Sequence, residues 1–177
     1  AIAFVALLYV AFGLGGAALG AGTSEFALRW RANAGPYAVI EHAAALVAGD
    51  RLAFGQPLGS AIARAVALCA VLGAGVWTAV RRWPIDRALL AVLATALLLS
   101  PVANPWYLLW LVPLAAIRRS WALLSWTALV PLAYLPLDGW IAARRWHEDV
   151  GPRLVEYVPV LSLLFVRVCS ALFRRAR

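Results

Sequence analysis

The residues of this chain that could hold, pull or move charge fall in four short segments. The first carries Arg29, Arg31 and Asn33, followed by Glu41 and His42. Guanidinium groups bind phosphate in bidentate fashion, which makes Arg29 and Arg31 candidate phosphate ligands; ordinary lipid headgroups are the alternative. Glu41 and His42 are the base candidates of the segment. On a helix, adjacent side chains diverge by about 100°, so the two need not act together, and an interfacial polar pair is the alternative. The second segment holds Arg64, about 10 Å of helical rise past Pro57 in an otherwise apolar run. A charge there is costly and is a functional candidate by default, unless it snorkels outward. The third is Ser100-Pro-Val-Ala-Asn-Pro-Trp-Tyr-Leu-Leu-Trp-Leu-Val-Pro113. Asn104 can hydrogen-bond a sugar or a phosphate but cannot shuttle a proton. Trp106, Tyr107 and Trp110 can stack on a sugar ring or sit at a lipid–water boundary. The fourth holds Asp138, Arg144, Arg145, His147, Glu148 and Asp149 and reads as a solvated connector able to touch carbohydrate or headgroups. The spacing of His, Cys, Asp and Glu supports no metal site or cofactor.

The elements that position these segments are set by composition. The apolar fraction is 64% and the mean hydropathy +0.83, against about 45–50% apolar in soluble domains. A folded chain of this size leaves about a third of its extended surface exposed, so that much apolar surface has to face lipid. All 16 basic residues are arginine, and they cluster between apolar runs. That pattern points to a membrane and away from nucleic acid. Cys69 and Cys169 lie inside apolar runs and read as buried free thiols. The chain contains no methionine and opens within an apolar run, as expected for the C-terminal part of a longer protein with further spans upstream.

A crossing needs about 20 apolar residues. The expected fold is all-α: one polytopic transmembrane bundle over residues 1–177, with about six spans and short interfacial helices in an outer loop. The spans are Ala1 to Gly20, Pro57 to Val80, Ala88 to Val102, Pro105 to Ile117, Trp121 to Leu137 and Tyr157 to Phe173. The stretch between Arg87 and Arg118 is too long for one crossing and is broken at 100–105, where Asn104 can cap and Pro105 can open a helix. Helix N–H groups at Pro105 would offer a phosphate site. Freed carbonyls at membrane depth are tolerated where protein or water satisfies them, usually at a cavity. Loop 21–56 reads as two short helices. Ser24 caps the first, with Glu25 paired to Arg29, while Gly35-Pro36 opens the second and Gly49 closes it.

If the two halves of that stretch form a hairpin, eight arginines and one acid share one face. The other face then has six arginines and seven acids. The arginine bias puts the first face, and the C-terminus, in the cytoplasm. Loops 21–56 and 138–155 and the tip at 100–105 then lie together outside.

The Ser-Pro-x-x-x-Pro-Trp-Tyr-x-x-Trp-x-x-Pro pattern resembles that of bacterial membrane glycosyltransferases of the GT-C superfamily, particularly the polyprenol-phosphate-mannose-dependent mannosyltransferases. Many of them read His where this chain has Asn104. Leu28-Arg-Trp30-Arg-Ala-Asn33-Ala-Gly35-Pro-Tyr37 resembles their Trp-x-x-Asn-x-Gly segment in an extracytoplasmic loop. The resemblance implies a multi-pass protein of the bacterial plasma membrane. It would move a sugar, mannose first among candidates, from a polyprenyl-phosphate-linked donor to a lipid or glycan acceptor. Arg29, Arg31, Asn33, Arg64, Asn104, Trp106 and Tyr107 would bind substrate. A divalent metal is compatible with such chemistry, though no residue spacing requires it. The family places its catalytic carboxylate in the first extracytoplasmic loop, expected here upstream of Ala1. A non-enzymatic component of lipid or polysaccharide export is the rival reading. Against a transporter, the only clear break is at 100–105, with no matching break in a second half.

Overall fold

The computed structural model describes Val10, Gly22, Leu28 and residues 30–145 and 147–175. The chain divides into two units, 1–30 and 31–177, and the second holds the helices and the hairpin that can be described. The expected first span and the interfacial helix after Ser24 fall in the first unit, outside the described residues but for isolated positions.

The second unit is mostly helical. Helix α1 (Pro36–Ala48) starts where Pro36 follows Gly35 and stops at Gly49, whose φ of +60° suits a residue without Cβ. A two-residue hairpin joins β1 (Leu52–Ala53) to β2 (Gln56–Pro57). Its turn residues, Phe54 and Gly55, both have positive φ, as tight hairpins require. Helix α2 (Leu58–Val80) comes next, 23 residues long. At about 1.5 Å per residue it reaches about 35 Å, enough to cross a bilayer core. Its Gly59 lies under α1: a Cβ there would come within 2.8 Å of the Ala45 nitrogen. Small residues at Gly59 and Ala63 are what allow the two backbones to approach.

Helix α3 (Ile85–Leu98) runs to the proline break, and α4 (Pro105–Leu108) and α5 (Val112–Ile117) bring the chain back. Sequence reasoning expected spans over Ala88 to Val102 and over Pro105 to Ile117. The first ends at Leu98 because Pro101 drives Ser100 out of helical geometry. The second is cut at 109–111. Pro113 has no N–H for the Leu109 carbonyl, and Trp110 and Leu111 bond three residues back instead, to Tyr107 and Leu108. The phosphate site expected at Pro105 therefore loses its basis, since a four-residue helix carries little dipole. The hairpin geometry itself is present: Arg118, just past α5, donates to Asp86, at the start of α3, at 2.6 Å.

Helix α6 (Trp121–Leu129), a 3₁₀ turn (Val130–Tyr134) and α7 (Pro136–Ala143) form one helical run. It passes the expected end at Leu137 and stops at Arg144, in left-handed geometry. Helix α8 (Val150–Arg175) begins before the expected Tyr157 and contains Pro159. The connector expected over 138–155 is therefore only 144–149. Leu58–Val80 and Trp121–Ala143 are the described helices long and apolar enough to cross a membrane.

The main core joins Leu90 and Leu97 of α3, Leu108, Leu111 and Ala115 of the returning arm, Leu123, Trp126 and Val130, and Tyr157 and Val160 of α8. Large apolar residues remain outside it, among them Leu72 and Val76 of α2 and Phe165 and Val168 of α8. Cys69, expected to be buried, is exposed on α2.

Candidate functional site

Asn33 is the centre of the described polar structure. It sits at φ +51°, a left-handed conformation that asparagine tolerates better than most residues. Its segment is strapped across the proline break. The Ala32 amide donates to the Pro101 carbonyl at 3.1 Å, and the Ala103 amide donates to Ala32 at 2.9 Å, giving a parallel bridge between Ala32 and Val102. On the other strand of this bridge, the Ser100 hydroxyl and the Val102 amide lie 3.1 Å apart, the amide donating. Thus the two segments that carry the sequence pattern meet directly.

The same asparagine connects two carboxylates. Its backbone N–H donates to both oxygens of Glu148, at 3.2 and 3.1 Å. Its side-chain amide donates to both oxygens of Glu156, at 3.0 Å each, and to the Ala103 carbonyl at 3.3 Å. Glu156 is wholly buried and also accepts the Trp126 indole N–H at 2.7 Å. The Tyr157 hydroxyl donates to the Asn33 carbonyl at 2.8 Å. A buried carboxylate is costly unless such donors surround it, and here Asn33 and Trp126, from distant parts of the chain, converge to supply them. Gly35 completes the fit: a Cβ on it would come within 2.4 Å of the Tyr157 ring.

These groups line a cavity of about 410 Å³, in the usual range for small-molecule sites. Its polar wall is Asn33, Arg145, His147, Glu148, Asp149, Arg153 and Glu156, and its apolar wall includes Leu132, Leu135 and Pro136. Glu148 keeps a fifth of its side chain exposed, with Arg153 Nη1 4.0 Å from its carboxylate. Arg153 also holds the loop backbone, donating to the Glu148 carbonyl at 2.9 Å. His147 pairs with Asp149 at 3.2 Å. The wall therefore offers a carboxylate within reach of a ligand, cations of both kinds of placement, and an aliphatic face. Among the described residues no three His, Cys, Asp or Glu side chains converge as for a metal ion.

The residues singled out by sequence reasoning divide around this site. Asn33 is in it. Arg31 and Glu41 form a second cluster with each other, at 2.6 Å, with Arg31 over the Tyr37 ring. Burial alone would raise the Glu41 carboxyl, but hydrogen bonds from Arg31 and Ser60 outweigh it and hold the group below the usual carboxylate range. Arg64 donates to Gln56 on the same side. His42 is exposed on α1. Asn104 is half-buried at the start of α4 and makes no capping bond. Trp106 is half exposed, with Tyr107 and Tyr134 against it at 5.8 and 6.4 Å. Neither Asn104, Trp106 nor Tyr107 lines the cavity. Arg29 lies outside the described residues.

Sequence reasoning missed Glu156 as a site residue and read Glu148 only as part of a solvated connector. Glu156 had a readable signal, an acid at the very head of an apolar run, where an unpaired charge would be expensive. Glu148 had none, because only the fold brings it to Asn33. Comparison with known protein families, with curated proteins and with solved structures finds no match to this chain.

Proposed function

We propose that the protein is a polytopic membrane glycosyltransferase that moves a sugar, mannose first, from a polyprenyl phosphate to a lipid or glycan acceptor on the outer face. The observation that carries this reading is the convergence of segments 31–35, 100–103 and 145–156. The arginine count assigns these three segments to one side of the membrane. Their junction brings the two resembling motifs together beside a cavity with acidic and basic walls. The two long apolar helices and the exposed apolar faces of α2 and α8 favour a lipid setting.

In this reading the bundle crosses about six times, with its C-terminus in the cytoplasm. The sugar occupies the cavity against Leu132, Leu135 and Pro136. An acceptor hydroxyl attacks the anomeric carbon, and Glu148 takes its proton. The bond from that carbon to the phosphate oxygen breaks as the new one forms, and the polyprenyl phosphate leaves with the electron pair. Arg145, exposed at the cavity wall, stabilises the departing phosphate. Glu156 and Trp126 hold Asn33, and Asn33 orients Glu148.

The test is transfer by membranes containing the protein, with radiolabelled polyprenyl-phosphate mannose as donor and lipid extracts as acceptor. Radiolabelled product that depends on the protein is expected. If no polyprenyl-linked sugar yields product from inserted protein, the reading falls and the export component takes its place.

A further inference from the structure

A second cavity, of about 240 Å³, lies between the start of α6 and the middle of α8. It is lined by Arg119, Trp121, Ala122, Leu163, Val166 and Arg167, two guanidinium groups over an apolar wall with no acid in it. At this end of the returning arm, Arg118 already engages the acid Asp86. Arg119 and Arg167, among the described residues, have no such partner. Arg119 also stands at φ +48°, where glycine is the usual residue after a helix. Trp121 is 74% exposed, as tryptophan at a membrane interface often is. Leu163 and Val166 face outward beside it.

We propose that this pocket binds the phosphate of an anionic phospholipid, with Arg119 and Arg167 on the phosphate and the acyl chains along Leu163 and Val166. Guanidinium pairs suit phosphate oxygens, and basic pockets between spans on the cytoplasmic side recognise anionic headgroups. The proposal rests on the membrane reading and not on the sugar-transfer reaction.

The protein is first checked for retention in carbonate-washed membranes, which tests the membrane reading by itself. Detergent-purified protein is then titrated with dioctanoyl phosphatidylglycerol, dioctanoyl phosphatidylcholine and inorganic phosphate. The phosphatidylglycerol dissociation constant is expected to be at least tenfold below the other two. Arg119→Gly relaxes the backbone while removing the guanidinium, so it keeps the fold, and Arg167→Gln alters an exposed side chain. Each should weaken phosphatidylglycerol binding at least tenfold. Arg82→Gly makes the same backbone change at φ +48° away from the pocket and should leave binding unchanged. Equal binding of the two lipids, equally tight binding of inorganic phosphate, or full binding by both pocket variants overturns the proposal.

Discussion

Asn33 binds Glu148, Glu156, Ala103 and Tyr157, and its loss should be felt in two separable ways. Removing the side chain strips Glu156 of amide donors, and a buried acceptor left short costs about 1–3 kcal/mol. Alanine also tolerates φ +51° less well than asparagine, whose side chain hydrogen-bonds locally, whereas glycine takes it readily, which is worth up to about 1 kcal/mol between the two variants. Asn33→Ala should therefore melt below Asn33→Gly, and both below the wild type, in thermal unfolding in detergent. Glu41 gives a pH-dependent test. Its carboxyl is held low in the folded protein, so the folded state binds fewer protons than the unfolded one. The Arg31–Glu41 contribution is complete above the unfolded value of about 4.3 and fades as pH falls through the lower folded value. Glu41→Gln should thus lose less stability than the wild type when melts at pH 7 are compared with melts below pH 4. Part of this scale was legible in sequence. Asn33 and Arg31 stood out by type and place, but the partner that occupies Glu41 was hidden by a separation of ten positions along the chain.

At the scale of elements, helix boundaries were readable where glycine, proline or an arginine cluster stands. Gly35-Pro36 and Gly49 bounded α1 as glycine and proline chemistry requires. The ends of α2, α5 and α7 are different. There Arg82, Arg119 and Arg144 occupy the left-handed position that glycine usually takes. Arginine near a helix C-terminus favours the helix dipole, which is why the arginine clusters marked those ends although no glycine did. The run past Leu137 was not readable, since Asp138 is charged and Gly139 disfavours a helix, yet the helix continues through both. Helix contacts also set a mutational contrast. Gly35→Ala drives a Cβ into the Tyr157 ring and should cost about 1–3 kcal/mol by overpacking, while loosening Asn33. Gly73→Ala, in open space within α2, should be neutral or stabilising by up to about 1 kcal/mol. Melting the two variants side by side checks whether α8 is held against residue 35 as described.

Across the whole molecule, polar structure among the described residues gathers at the Arg31–Glu41 pair and at two junctions. Asn33, Glu148 and Glu156 join the segments at one junction, and Asp86 with Arg118 joins the arms of the hairpin at another. Hydropathy made the apolar runs legible, because it is a sum over many residues. The cavity was not legible, because it depends on how far α7 and α8 extend and on the six-residue turn that remains between them. In the proposed sugar transfer at this cavity, Glu148 is the group that takes the acceptor proton. The measurement that tests this most directly is single-turnover sugar transfer by wild type and Glu148→Gln in membranes matched for inserted protein. General-base catalysis contributes about 10²–10⁴-fold, so the rate should fall at least a hundredfold while donor binding persists. Transfer by Glu148→Gln at the wild-type rate would contradict that role and move the chemistry away from this cavity.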